Sequence, residues 1–240
     1  MDPLRRTPFS SILRSLASLS LLGAVLGGCA GAPNAAPSAA APAPQTPVAE
    51  TSSVRGGYAA HPAAGQFIED MATRHGLPRD EVTALLARAQ RQQSILDAIS
   101  RPAEAKPWRD YRPIFLTQAR IDGGVQFWNT NAQILADAER EFGVDARVIV
   151  AIVGVETRYG GNTGKYRVLD ALCTLGFDYP KRADFFRKEL EEFLLLTREE
   201  HVDALSALGS YAGAMGQGQF IPSSYRAYAV DFDGDGKRDL

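Results

Sequence analysis

The sequence predicts a mainly α-helical protein, and three of its features support that fold class. Apolar residues recur at helical spacing through most of the chain from about Ala60 onward. Glycine follows several of these periodic segments, as at Gly76 and Gly143, where it is typical of helix ends. Strand-like alternation of apolar and polar residues is scarce. We therefore expect one packed helical domain over residues 58–240.

The predicted helices each show an apolar face and lie, in chain order, at 63–76, 79–90, 123–143, 145–156, 166–177 and 182–201. The segment 145–156 differs from the others because it is apolar nearly all round, with an unbroken run from Val148 to Val155. A helix of that composition is typical of a domain centre. We therefore expect the other helices to pack around it.

The first 28 residues predict a signal peptide. Arg5, Arg6 and Arg14 form a basic region, and the apolar run 15–25 that follows is too short to span a bilayer. The segment ends in Leu-Gly-Gly-Cys, which resembles a bacterial lipobox, so cleavage would leave Cys29 as a lipidated N-terminus. The alternative is a plain secretory signal in which Cys29 has no role.

Residues 29–57 predict an extended tether, because they are mostly Ala, Pro, Ser and Gly with little apolar surface to bury. Acyl chains on Cys29 would anchor the protein to a membrane. Ala30 stands where an Asp commonly retains bacterial lipoproteins in the inner membrane, so we expect the periplasmic face of the outer membrane. The formal net charge of −2 argues against a surface that binds nucleic acid.

A carboxylate ends the most apolar segment of the chain. Glu156 follows the Val and Ile run and precedes Gly160-Gly161, where we expect the helix to break. Burial against that run and the negative end of the helix dipole would both raise the pKa of Glu156. A glutamic acid that stays protonated near neutral pH can act as a general acid in glycosidic cleavage. The alternative is a buried structural ion pair with Arg158 or another base.

The segment Gly209–Phe220 combines four glycines with the polar residues Ser210, Gln217 and Gln219 and with Met215. Small residues allow a ligand to approach the backbone closely. Amide and hydroxyl groups suit the hydroxyl and acetamido groups of sugars. We therefore expect a sugar-binding loop, and a flexible surface loop is the alternative.

Several segments, in order along the chain, together resemble the membrane-bound lytic murein transglycosylase B family: QQSILDAISRPAEAKPW, GVETRYG, NTGKYRVLDAL, FDYPKRADFF, ELEEFLLL, GSYAGAMGQGQFIPSSY and AVDFDGDG. The resemblance covers about Gly65 to Leu240. It implies a lysozyme-like fold that cleaves peptidoglycan between N-acetylmuramic acid and N-acetylglucosamine, leaving 1,6-anhydro ends without consuming water. It also implies that Glu156 is the single catalytic acid and base and that the chemistry needs no cofactor.

The same resemblance implies roles for residues of the loop and of a basic pair. Ser210, Met215 and Gln219 match the family's sugar-binding loop. Lys181 and Arg182 match a basic pair that would meet stem-peptide carboxylates, and a solvated helix start is the alternative.

Three other carboxylates, Asp170, Asp178 and Asp184, are candidates for the second acid that a water-using muramidase would need. The resemblance argues against that role.

Residues 231–240 match the start of a calcium loop. Asp231, Asp233 and Asp235 occupy ligand positions 1, 3 and 5, and Lys237 would offer its backbone carbonyl at position 7. The acidic twelfth position falls beyond the end of the sequence. We therefore expect a C-terminally truncated domain with an incomplete site, and a structural Ca²⁺ in the full-length protein.

The sequence leaves three alternative functions: a muramidase that uses water, a non-catalytic peptidoglycan-binding lipoprotein, and a calcium-regulated scaffold. The expected partners are peptidoglycan glycan strands and, through the lipid anchor, a membrane. No nucleic acid is expected as a partner, and the chain is expected to be a monomer.

Overall fold

The computed structural model describes residues 57–101 and 106–239. The expected signal peptide, Cys29 and the tether up to residue 56 lie outside the described residues. Within the described ranges, every helix is too short or too polar to cross a bilayer.

The described part of the chain is built from ten α-helices and two very short strands, which confirms the predicted fold class. The helices are α1 (Ala64–His75), α2 (Arg79–Arg88), α3 (Gln93–Ile99), α4 (Trp108–Tyr111), α5 (Gln118–Thr130), α6 (Ala132–Phe142), α7 (Ala146–Thr157), α8 (Val168–Asp178), α9 (Ala183–Glu199) and α10 (Pro222–Tyr228). The strands are β1 (Tyr166–Arg167) and β2 (Leu208–Gly209), which pair antiparallel with Tyr166 opposite Gly209. Single 3₁₀ turns lie at Gly57–Ala60, Arg112–Ile114 and Pro180–Arg182.

The helix ends predicted from glycine are confirmed, whereas one predicted helix is divided. Gly76 and Gly143 both adopt the left-handed conformation, at φ 66°, directly after α1 and α6. The segment 123–143, predicted as one helix, is split between α5 and α6 at Asn131. The Asn131 side chain donates a hydrogen bond to the Phe127 carbonyl at 2.8 Å. The Asn131 backbone amide donates to the same carbonyl at 3.0 Å. Side-chain bonds of this local kind make asparagine common at helix boundaries rather than in helix interiors.

Helix α8 is the central helix of the domain. All ten residues from Val168 to Phe177 are buried. The seven apolar side chains among them belong to the larger of two hydrophobic clusters, which also includes residues from α1, α2, α3, α9 and α10. Cys173 lies within this cluster, where burial raises the pKa of its thiol.

The prediction that residues 145–156 form the buried central helix is wrong. Helix α7 buries only one narrow stripe, formed by Ala146, Val150, Gly154 and Thr157. Ala146 and Val150 of that stripe pack against α5 and α6 in the smaller hydrophobic cluster. In the part of the chain that the structure describes, neighbouring helices cover α7 on one side. Its other apolar residues remain about half exposed; they include Val148 at 49%, Ile152 at 52% and Val155 at 47%.

Candidate active site

Glu156 lies in the last turn of α7, as the sequence predicts, but it is exposed rather than buried. No described residue forms an ion pair or a hydrogen bond with its carboxylate. Both sequence expectations that required burial, desolvation by the apolar run and a buried ion pair, are therefore wrong. The carboxylate borders a shallow cavity of about 390 Å³ lined by Arg147, Val148, Ala151, Ile152 and Val155.

The helix ends before the two glycines that were expected to break it. Arg158 and Tyr159 both adopt left-handed backbone conformations, at φ 53° and 61°. Two consecutive non-glycine residues in that region are costly and persist only where the surroundings hold them. The Arg158 and Tyr159 amides donate to the Gly154 and Val153 carbonyls, which closes the end of the helix.

The Tyr159 ring holds this turn in place. A Cβ atom on Gly154 would lie 2.6 Å from the Tyr159 hydroxyl, and one on Gly124 of α5 would lie 2.7 Å from it. The hydroxyl donates to the Arg120 carbonyl at 2.9 Å, and the Arg120 guanidinium donates back to the Gly154 carbonyl at 2.5 Å. The ring therefore fills a slot lined by glycines and fastens α7 to α5 at the level of Glu156.

The segment Gly209–Phe220 is a folded loop rather than a flexible one. Met215 and Phe220 exchange two backbone hydrogen bonds, at 2.9 and 3.1 Å. The Ser210 hydroxyl accepts from the backbone amides of Ala212 and Ala214, at 3.3 and 3.1 Å. These bonds give the loop a defined shape on which side chains can be presented.

The four loop residues predicted to bind sugar have different surroundings. Met215 is only 2% exposed and packs into the larger hydrophobic cluster, where it supports the loop from beneath. The side-chain amide of Gln219 donates to the carbonyls of Thr163 and Gly216, at 3.0 Å each. Gln217 is exposed and Ser210 half-buried.

The loop and the end of α7 are fastened together by Thr157, the residue after Glu156. Thr157 is fully buried, and its hydroxyl lies 3.1 Å from the Gln217 carbonyl oxygen. The Gln217 side chain lies beside Gly160, where a Cβ atom would be 3.3 Å from its amide carbon. The structure therefore brings Gln217 to the helix end that carries Glu156.

Lys181 and Arg182 lie in the 3₁₀ turn after α8, away from the loop. The loop packs against the first half of that helix, where Gly209 and Gly213 approach Val168 and Leu172. The basic pair follows the other end of α8, and an eleven-residue helix is about 16 Å long. The Arg182 guanidinium lies 4.2 Å from the centre of the Phe185 ring, while Lys181 is exposed.

The three candidate second carboxylates are held by other groups. Asp170 accepts from the Arg167 guanidinium at 2.6 Å and from the Gln90 amide at 2.8 Å. Asp178 accepts from the Tyr58 hydroxyl at 2.6 Å. Asp184 forms an ion pair with the Arg187 guanidinium. None of them lines the cavity beside Glu156.

The three aspartates of the expected calcium loop do converge. Their carboxylate oxygens lie within 4.8 Å of one another, on exposed side chains. Asp231 accepts from the Gly236 and Gly234 amides, and these bonds lower the pKa of its carboxyl. Arg238 joins the loop to the end of α9, because its amide donates to the carboxylate of Glu200, the residue after that helix, at 2.8 Å.

Sequence reasoning missed Thr157, Tyr159 and Arg120 as supports of the site. One signal for Tyr159 was present in the sequence. The pair Gly123-Gly124 stands inside a helical segment, where glycine costs about 1 kcal/mol relative to alanine. Glycines retained there indicate a close approach by another group, which the structure identifies as the Tyr159 ring.

The sequence also matches a known protein family and a known protein. A model of the Transglycosylase SLT domain family matches residues 59–240. The membrane-bound lytic murein transglycosylase B of Escherichia coli (strain K12) is 46% identical over 195 residues, which are 77% of this chain and 54% of that protein. The chain thus spans about half the length of this curated relative.

Solved structures resemble the fold closely. The soluble lytic transglycosylase SltB1 from Pseudomonas aeruginosa matches with a TM-score of 0.72 and 61% identity, over 75% of this chain and 61% of that one. The Escherichia coli lytic transglycosylase Slt35, determined in complex with calcium, matches with a TM-score of 0.72 and 47% identity, over 77% of this chain and 60% of that one.

Proposed function

Because this chain belongs to the Transglycosylase SLT domain family, we propose that it is a lytic murein transglycosylase. It would cleave the β-1,4 bond between N-acetylmuramic acid and N-acetylglucosamine in peptidoglycan and leave 1,6-anhydro-N-acetylmuramic ends. The observation that carries this proposal is the setting of Glu156. Its carboxylate is exposed and unpaired among the described residues, and the loop is fastened to the same helix end.

Glu156 would serve first as an acid and then as a base. Its carboxyl proton passes to the glycosidic oxygen as the bond from that oxygen to C1 of the muramic residue breaks. The C6 hydroxyl of the same residue then bonds to C1 and gives its proton to the Glu156 carboxylate. The acid is restored and no water is consumed. The acetamido group can assist at C1, as in glycosidases that act with one protein carboxylate.

Among the described residues, Glu156 is the one acid that lines this cavity, which favours this mechanism over hydrolysis. A muramidase with two carboxylates needs the second within about 5–10 Å of the first. The other residues that line the cavity beside Glu156 are one arginine and four apolar residues. Asp170, Asp178 and Asp184 are held by other groups.

The loop would bind the sugars on either side of the bond that is cleaved. Ser210, Gln217 and Gln219 offer hydroxyl and amide groups, and Met215 supports them from the core. Slt35 has also been determined in complex with bulgecin A, and SltB3 from Pseudomonas aeruginosa in complex with NAG-anhNAM-pentapeptide. These related complexes support glycan strands as the ligand of this chain.

Lys181 and Arg182 would contact the carboxylates of a stem peptide. Their distance from the loop along α8 suits a ligand that carries a peptide away from the glycan. The Arg182 guanidinium stacks on the Phe185 ring, which fixes its plane for carboxylate binding.

The cellular position that we propose follows from the N-terminal sequence and from the relative. The Escherichia coli relative is membrane-bound by name. A lipid on Cys29 and the tether 29–57 would hold the domain at the periplasmic face of the outer membrane, where peptidoglycan is within reach. We propose that it works there as a monomer.

The aspartate loop would hold a structural Ca²⁺. Three carboxylates within 4.8 Å of one another form an oxygen donor set of the kind that this ion prefers. The Lys237 carbonyl would complete the donors given by this chain. Bound calcium would order the loop that Arg238 joins to α9, and the glycosidic chemistry would not require it.

Product chemistry in ¹⁸O-water tests the proposed reaction. Purified peptidoglycan is incubated with the chain and the soluble products are analysed by mass spectrometry. A transglycosylase gives products with 1,6-anhydro ends and no ¹⁸O, because the C6 hydroxyl is the nucleophile. A muramidase gives reducing ends that carry ¹⁸O, and that result would overturn the proposal.

A chain that binds peptidoglycan in a sedimentation assay but releases nothing would instead support the second candidate, a non-catalytic binding lipoprotein. The folded loop favours glycan binding in either case.

A further inference from the structure

We propose that Thr157 is a positioning residue that sets the place of the glycine-rich loop relative to Glu156. This inference deepens the proposed function and rests on it for its catalytic part. Thr157 does not reach the reacting atoms in this proposal. It acts through Gln217, whose backbone it holds.

The environment of Thr157 is unusual for a helical threonine. The residue is fully buried, and its hydroxyl has three partners. The hydroxyl accepts from the Gly160 amide at 3.0 Å and lies 3.1 Å from each of the Val153 and Gln217 carbonyl oxygens. A hydroxyl carries one proton, so it can donate to only one of these two carbonyls at a time.

These partners join three parts of the site. Val153 belongs to α7, Gly160 follows the left-handed turn, and Gln217 is in the loop. The Thr157 carbonyl also accepts from the Asn162 amide at 2.8 Å. One residue therefore joins the catalytic helix, the turn after it and the loop.

The end of α7, to which Thr157 belongs, is itself held in place by packing. The Tyr159 ring fills its glycine-lined slot and fastens the helix end to α5. The loop has a second link to the segment after α7, because the side-chain amide of Gln219 donates to the Thr163 carbonyl at 3.0 Å. Without the hydroxyl of Thr157, the loop would keep this second link but lose its direct link to the helix of Glu156.

The position of Gln217 then decides how a sugar meets the acid. Catalysis depends strongly on orientation, and a displacement of about 1 Å can lower a rate by about 10²-fold. The Gln217 carbonyl and the Gly160 amide, both in part-buried hydrogen bonds, would also lose this partner if the hydroxyl were removed. We therefore expect Thr157→Val to release the loop while keeping the shape of the side chain.

The test compares Thr157→Val with two matched variants. Thr157→Ser keeps the hydroxyl and should rescue the link. Thr197→Val makes the same chemical change at a threonine that is also buried but whose hydroxyl donates only within α9, to Leu194. Hydrogen exchange of the loop and of α8, measured by mass spectrometry, is recorded for each variant beside product release from peptidoglycan.

We expect Thr157→Val to lower kcat/KM about tenfold or more and to speed hydrogen exchange in residues 209–220, with exchange in α8 unchanged. The midpoint of the pH–rate profile should not move, because Thr157 does not contact the Glu156 carboxylate. Thr157→Ser should stay within about threefold of the parent chain in kcat/KM, and Thr197→Val should leave loop exchange unchanged.

Two results would overturn the inference: unchanged loop exchange in Thr157→Val, or exchange that rises equally in α8, which would indicate general destabilisation. If the parent chain releases no anhydro products, the proposed reaction fails. The exchange measurement then still decides whether Thr157 holds the loop.

Discussion

Helices α7 and α8 are two apolar helices of nearly equal length in very different surroundings. Helix α8 buries every residue from Val168 to Phe177, whereas α7 buries four residues and leaves Ile152 and Val155 about half exposed. Yet Val148, Ile152 and Val155 of α7 are as apolar as the aliphatic residues that α8 buries. Neighbours make the difference, since α8 is covered by helices of the larger cluster and α7 by α5 and α6 on one side.

This difference in burial matches the different parts that the two helices play in the proposed function. A catalytic carboxylate must reach a polymeric substrate, and Glu156 stands on the helix that keeps an open side. The loop that would bind the substrate packs against α8, where Gly213 approaches Leu172. The buried helix therefore supports the loop that we propose binds sugar, and the open helix carries Glu156, the proposed acid.

The largest effect on stability is expected in α8. Leu172→Ala should lower the free energy of unfolding by about 2–5 kcal/mol, because it leaves a cavity at a fully buried site. Ile152→Ala in α7 is the matched control and should change it by no more than about 0.5 kcal/mol, because the side chain is half exposed. Urea denaturation measures both. Equal losses would show that the contrast between the two helices is wrong.

A smaller effect is expected where α7 does have close neighbours. Gly154→Ala should cost about 1–3 kcal/mol, because the new methyl group would meet the Tyr159 ring and hydroxyl at 2.6–2.7 Å. Gly65→Ala in α1 is the control, since a Cβ atom there has open space, and it should be neutral or slightly stabilising. Thermal unfolding of both variants provides the comparison. A neutral Gly154→Ala would mean that the ring does not fill the slot in solution.

The smallest effect on stability is expected at the start of α7, and it depends on pH. Asp145 accepts from the Arg147 amide at 2.8 Å, and the Arg147 side chain and that amide together lower the pKa of its carboxyl from 3.8 to about 2. A lowered pKa stabilises the fold fully above pH 4, and the contribution is lost as pH falls towards 2.

Asp145→Asn keeps a capping side chain but removes this charge. The difference in stability between the parent chain and the variant should therefore shrink between pH 4 and pH 2. Unfolding free energies measured across that range test it, and a constant difference would exclude the charge as the cause.

The sequence predicted those parts of the fold that depend on local chemistry. Gly76 and Gly143 end their helices because glycine readily adopts the left-handed conformation. The last turn of α7 was likewise predicted to contain Glu156. These features need no knowledge of distant residues.

The features that were predicted wrongly depend on packing between distant segments. Arg158 and Tyr159 take left-handed conformations because α5 offers a slot for the Tyr159 ring. The exposure of Ile152 depends on which helices reach α7, which an apolar run alone does not reveal. The link between the Gln217 backbone and the helix of Glu156 runs through the buried Thr157, 60 residues earlier in the chain, and nothing in the sequence indicated it.

The most direct test of the proposed site is Glu156→Gln, assayed for products from peptidoglycan and for stability together. The carboxylate is exposed and unpaired among the described residues, so stability should change by no more than about 0.5 kcal/mol. Release of anhydro products should fall by about 10²–10⁴-fold or below detection, because the acid and base are lost. A folded Glu156→Gln variant that still releases anhydro ends at the parent rate would contradict the central role of Glu156.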